Sequence, residues 1–245
     1  MKWILVAAAA LASGCGIVDS SGAHYPYYFD AQEFKQDLGN QMGNLPSVAC
    51  KGVTPDPCAA AASQLPMGMV TCDQTANSCT ASYELRLSTM INLSQAMTPI
   101  PSAVVQFGIS RVEIKNIAYW VMQNSLTVAT PKIDLYVAAA SAKDEHDASA
   151  HLLGSVASLP AHSTSCTDPG DMDSQIASNA HGAKACDVPL TNDGQSALAT
   201  FAQSYKTPFQ IIVHAIVTAS GGQPIPAGLI DLFVDPSVEF VIVKT

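Results

Sequence analysis

From Cys79 onward, apolar and polar residues alternate with period two. Tyr83, Leu85, Leu87, Ile91 and Leu93 share one parity, and Glu84, Arg86, Ser88 and Asn92 share the other. Successive side chains of a strand point to opposite faces, so this pattern predicts a half-buried strand with one wet face. Val112 and Ile114 alternate with Arg111, Glu113 and Lys115, but the apolar parity then moves to Ile117, Tyr119 and Val121. A bulge or strand break near Asn116 accounts for the slip. Ile133, Leu135 and Val137 mark a further strand, and residues 152–157 another. The period then changes. Leu198, Phe201, Ala202 and Tyr205 fall at i, i+3, i+4 and i+7, one helical stripe, with Asn192 placed to cap it and Gln195 at the third helical position. Strands resume at 209–218, 229–234 and 238–243. A turn is expected at Gly221-Gly222, and Asp235-Pro236 separates the last two strands.

The N-terminal third reads differently. Asp30 is a good N-cap, Glu33 completes a capping box, and Phe29 and Phe34 suit a hydrophobic staple. A helix is therefore expected to about Leu38, ending near Gly39 or Gly43. Residues 44–68 hold Pro46, Pro55, Pro57 and Pro66 with Cys50 and Cys58, a cross-linked, loop-rich stretch with a short Ala-rich helix at 57–64. Residues 160–188 form a long polar excursion. Many strands with short links predict a mainly β fold, an antiparallel β-sandwich of immunoglobulin-like architecture with two or three decorating α-helices. The expected division is a leader at 1–14, a tether at 15–28, a helical, disulfide-containing subregion at 29–80 and the sandwich at 81–245. The stretch 117–137 is similar to late-embryogenesis-abundant-type β-sandwich domains over some twenty residues, with no specific motif.

The leader carries the most specific signal. Met1-Lys2 is a basic start, residues 3–11 are an unbroken apolar run, and Ala12-Ser13-Gly14 are small and lead directly to Cys15. The apolar run is shorter than the about 20 residues of a membrane span. These features resemble the signal peptide and lipobox of bacterial lipoproteins. One position departs: the family prefers Leu three residues before the cysteine, where this chain has Ala12 and places Leu11 one step earlier. The resemblance implies cleavage before Cys15, lipidation of its thiol and, by family pattern, three acyl chains, enough for stable anchoring without a transmembrane helix. Gly16 is not the aspartate that resembles an inner-membrane retention signal, which points to the outer membrane.

Composition narrows the partners. The net charge is −9 and becomes about −10 without Lys2, which argues against nucleic acid and anionic headgroups. Charged residues are 13% of the chain and hydrophobic ones 48%, a folded composition with a quiet surface. Apart from Cys15, six cysteines remain: Cys50, Cys58, Cys72, Cys79, Cys166 and Cys186. An even number in an exported chain predicts three disulfides. The arms around the polar loop 73–78 suggest Cys72–Cys79, leaving Cys166–Cys186 and Cys50–Cys58. The main rival is Cys50–Cys79 with Cys58–Cys72. Their spacing is not that of a zinc knuckle.

Candidate chemistry is sparse. Asp168, Asp171 and Asp173 are a calcium candidate, although no EF-hand glutamate follows; the reading is a solvated loop, so no metal site is assigned. Asp144, Glu145, His146 and Asp147, with His151 beyond, suggest a metal or acid–base site but read as an exposed turn between strands. His214 shares parity with Gln210 and Thr218 and is expected half-exposed, away from the core. Trp120 beside Tyr119 sets one of the two aromatics outside the main core. No serine elbow, phosphate loop or dinucleotide fingerprint occurs, and no cofactor is expected. The resulting expectation is a lipid-anchored envelope protein, structural or binding in role and without catalysis. Its partners are the membrane through its anchor and possible envelope proteins or glycans. The rivals are a carbohydrate-binding or adhesion module and a lipid-anchored hydrolase built on the two acidic clusters.

Overall fold

The computed structural model describes residues 23–28, 31–40, 43–62, 69–96, 109, 111–164 and 186–242. Two antiparallel sheets face each other as a β-sandwich. The first contains β1 (Ala23–Tyr28), β2 (Gln32–Asp37), β5 (Arg111–Asn124), β8 (Cys186–Asp187) and β10 (Leu229–Ile242), in the order β1-β10-β5-β8, with β2 also on β10. The second runs β3-β4-β9-β6-β7, made of Met69–Asp73, Ser78–Ile91, Phe209–Ser220, Ile133–Ala139 and His151–Val156. Three helices are described: α1 (Pro57–Ala62), α2 (Leu93–Ala96) and α3 (Asn192–Gln203).

The period-two residues face each other across the sandwich. Tyr83, Leu85, Leu135, Val137, Ile211 and Val213 from the second sheet meet Ile117, Tyr119, Val121, Leu232 and Val234 from the first. The parity slip in β5 is a bulge. Asn116 pairs with Ser237 and Ile114 with Val238, so Lys115 is the extra residue. Leu198 and Ala202 of α3 are buried, and the helix packs against β5, β6 and β7, bridging the two sheets. Its cap is Thr191 rather than Asn192: the Thr191 hydroxyl accepts from the Gly194 N–H at 2.9 Å. A Cβ on Gly194 would collide with the backbone of Leu152 and Leu153, so glycine is what lets the helix start against β7.

Three sequence expectations give way. Residues 32–37 are not a helix but β2, paired with Leu229–Val234 of β10. Phe34 within β2 and Leu38 just after it are buried, and their spacing of four satisfies both a helical and a strand period. Local pattern cannot separate the two, and pairing with β10 decides. Phe29 and Asp30, the expected staple and cap, lie outside the described residues. Residues 23–28 are not part of a tether but β1, on the same side of β10 further along. Pro26 falls within β1, which is at the edge of the sheet among the described residues, where a proline is tolerated. Finally, residues 229–242 are one strand. The strand runs through Asp235-Pro236 without a break, with Asp235 paired with Ala118 and Pro236 with Ile117 of β5. Strands of the expected N-terminal subregion are thus built into the sandwich.

The disulfides also differ from expectation. Cys72 and Cys79 are opposite one another in the β3–β4 hairpin but do not bond. The bridges are Cys50–Cys72 and Cys58–Cys79; neither the expected pairing nor its rival occurs. Segment 43–62 lies along the hairpin, held by Asn77, whose Oδ1 accepts from the N–H groups of Cys50 (3.1 Å) and Lys51 (2.8 Å). It brings one thiol to each hairpin cysteine. Cys186 is disulfide-bonded, while its expected partner Cys166 lies outside the described residues.

Candidate functional site

The outer face of the second sheet carries a polar cluster assembled from three places. β4 contributes Glu84 and Arg86, which share a face because they are two apart on a strand. β9 contributes His214, directly opposite Arg86 in the register. The β6–β7 loop, residues 140–150, contributes Glu145. The loop folds back over the sheet and is tied down at its start by Gln210, whose Nε2 donates to the carbonyls of Ala139 (3.1 Å) and Ala142 (2.6 Å).

At the centre is a two-pronged ion pair. Arg86 Nε donates to Glu145 Oε2 and its Nη2 to Glu145 Oε1, each at 2.9 Å, and the same Nη2 reaches Glu84 Oε1 at 2.5 Å. The Glu145 side chain is 3% exposed and that of Arg86 35%. Burial pushes the Glu145 carboxyl upward, but the Arg86 hydrogen bond, its own backbone N–H and the nearby His214 outweigh that and hold it below the ordinary value of 4.5. The Arg86 guanidinium is raised chiefly by its hydrogen bond to Glu145. His214 Nε2 lies 3.2 Å from Glu84 Oε1 and 3.4 Å from Glu145 Oε1, and His146 Nε2 lies 3.3 Å from Glu145 Oε1.

The cluster expected as one exposed turn is therefore split. Asp144 and Asp147 do act as turn residues. Asp144 Oδ1 accepts from the His146 N–H at 3.0 Å, and Asp147 Oδ1 accepts from the N–H and hydroxyl of Ser149 at 2.9 and 2.8 Å. The Ser149 backbone bond leads in holding the Asp147 carboxyl below its usual range. Glu145 points inward and is buried, which corrects the exposed-turn reading. His146 points out, and His151 leaves the cluster for Asp193 of α3 at 2.9 Å. His214 is half-buried on the outer face, as parity indicated. Glu84 and Arg86 were legible only as a wet face; a Glu-x-Arg pair on a strand is the signal that marks them as partners.

Side chains whose donor atoms converge for a metal are, among the described residues, Glu84, Glu145 and His214, and Cys50, Cys58 and Cys72. The cysteines are consumed by disulfides. The calcium candidates Asp168, Asp171 and Asp173 lie outside the described residues. Elsewhere, a cleft of about 320 Å³ is lined by Tyr119, Lys132, Ser155, Ala157, Asp187 and Pro189. At its rim Asp134 accepts from Ser155 Oγ at 2.6 Å and pairs with Lys132 at 3.0 Å. Trp120 sits on the face of β5 opposite Tyr119, but it is 2% exposed and stacked on Phe233 at 5.3 Å, so it offers no open ring to a sugar.

No protein-family model matches the sequence, nor does any curated protein. Among solved structures, a chain of Desmodium yellow mottle tymovirus aligns over 100% of this chain and 97% of its own length, at 7% identity and a TM-score of 0.20.

Proposed function

We propose that this chain is an exported, lipid-anchored protein of the bacterial cell envelope whose sandwich serves as a structural or binding module. The observation that carries the reading is the pair of bridges Cys50–Cys72 and Cys58–Cys79, with Cys58 and Cys79 fully buried. Disulfides in the core of a domain belong to chains that fold in an oxidising compartment. The basic, apolar and small residues running up to Cys15 supply the matching address and the anchor. For a binding role, the cleft between β7 and β8 offers a largely apolar floor rimmed by Lys132, Ser155 and Asp187.

The test is fractionation of the full-length chain and of Cys15→Ser. The wild type is expected in the detergent phase with an acylated Cys15, and the variant as unprocessed precursor or released protein. Normal cleavage of Cys15→Ser with unchanged detergent partitioning refutes the anchor. A thiol count on the exported wild type tests the compartment: free Cys58 and Cys79 in the folded protein refute it.

A further inference from the structure

We propose that Glu84, Glu145 and His214 form a Zn²⁺ site that clamps the 140–150 loop to the second sheet. The proposal is independent of the envelope reading and of the anchor. The donor set comes first: one imidazole nitrogen and two carboxylate oxygens are ordinary zinc ligands. The three ligand atoms all lie within 4.8 Å of one another.

His214 Nε2 is within hydrogen-bond distance of Glu84 Oε1, at 3.2 Å, and lies 3.4 Å from Glu145 Oε1, so one ring nitrogen faces both carboxylates. Around His214 and His146 the contacts stand at 3.2, 3.4 and 3.3 Å. A tetrahedral ion with bonds of about 2.0–2.1 Å holds its ligands about 3.3–3.4 Å apart. The two separations from His214 Nε2 to the carboxylates, 3.2 and 3.4 Å, match the edge of such a tetrahedron. A water completes the fourth position, as in zinc sites with three protein ligands.

The frame is suited to the task. Glu84 and His214 sit on adjacent strands as diagonal neighbours, since Glu84 pairs with Ile216 and Arg86 with His214. Two ligands are therefore fixed by the sheet, and the third comes from the loop. Arg86 orients both carboxylates from outside, as hydrogen-bonding partners of metal ligands do. Each carboxylate oxygen has two lone pairs, so an oxygen that accepts from the guanidinium can still serve as a ligand. Two carboxylates against one guanidinium leave a net negative charge to meet the dication.

The experiment uses the full chain in its exported, disulfide-bonded form, with affinity tags removed and metal stripped by EDTA and then dialysis. Zn²⁺ is titrated calorimetrically, and Co²⁺ is followed by the visible absorption of a tetrahedral ion. The wild type is expected to take up Zn²⁺ and melt at a higher temperature with it. Loss of an outer-shell partner weakens metal binding about 10–100-fold, so His214→Ala and Glu84→Gln, which remove ligands, should each lose at least that much, while His151→Ala should bind like wild type. Near-UV circular dichroism checks the fold, and His214→Gln replaces His214→Ala if the latter unfolds. Failure of the wild type to bind Zn²⁺, or binding unchanged in the His214 and Glu84 variants, overturns the proposal.

Discussion

Two irregular segments are fastened to the second sheet by opposite chemistry. Residues 43–62 close the core-facing side of the β3–β4 hairpin, where Leu45, Cys50, Cys58 and Cys79 join the hydrophobic core. Two covalent bridges hold them. Residues 140–150 cover the outer side over β4 and β9, held by the Arg86–Glu145 pair and the amide of Gln210. A disulfide brings no charge into the apolar interior and so suits the core side. An ion pair taken fully out of water costs more than it returns unless its geometry is good, so it suits a face where Arg86 keeps one side in solvent. One fastening should respond to reductant and the other to pH, and that difference can be broken piece by piece.

The largest effect is expected at the core side. Replacing Cys58 and Cys79 together by Ala opens a closure between residues 21 apart and should cost about 3 kcal/mol in the chain-entropy model. Denaturant unfolding of the variant at neutral pH measures it. A loss below about 1 kcal/mol would show that packing alone holds segment 43–62. Mild reductant should open Cys50–Cys72 first, because Cys72 is half-buried while Cys58 and Cys79 are sealed. Trapping and mapping the first free thiols decides the order.

On the outer side, Glu145→Ala in EDTA should cost about 1.5–3 kcal/mol, the range for hydrogen bonds to a charged group. Arg86 keeps enough exposure to be hydrated afterwards. Proteolysis within residues 140–150 should quicken while cleavage within 43–62 stays unchanged. Faster cleavage at both would show that the two fastenings are one.

The pH response is smaller and its sign is defined. The folded Glu145 carboxyl titrates below its ordinary 4.5. Its contribution is therefore complete above about pH 4.5 and is lost as pH falls through the lower folded value. Wild type should lose stability in that window faster than Glu145→Gln, and equal acid slopes would remove Glu145 from the account. The smallest effect is expected for His146→Ala without metal, within about 0.5 kcal/mol, since the residue is exposed. A larger loss would mean that the loop depends on His146 as well as Glu145.

What the sequence determined by itself is whatever a local period can encode. The strands β4 to β7 and β9, the bulge beside Asn116 and the Leu198–Ala202 stripe of α3 follow from which positions are apolar, because burying one face requires that spacing. Tertiary structure decided the rest. Phe34 and Leu38 fit a helix and a strand equally, and only the open side of β10 made residues 32–37 a strand. Asp235-Pro236 read as a break because a proline lacks a donor, and only the pairing of both residues with β5 showed that the strand runs on. The hairpin cysteines face each other in sequence and in space, yet segment 43–62 supplies each with a different partner. Glu145 resembles its exposed neighbours in composition. Its burial depends on Arg86, 59 residues earlier, and on His214 across the register. Such partnerships are contacts between distant residues, and their energies exist only once the sheet has brought them together.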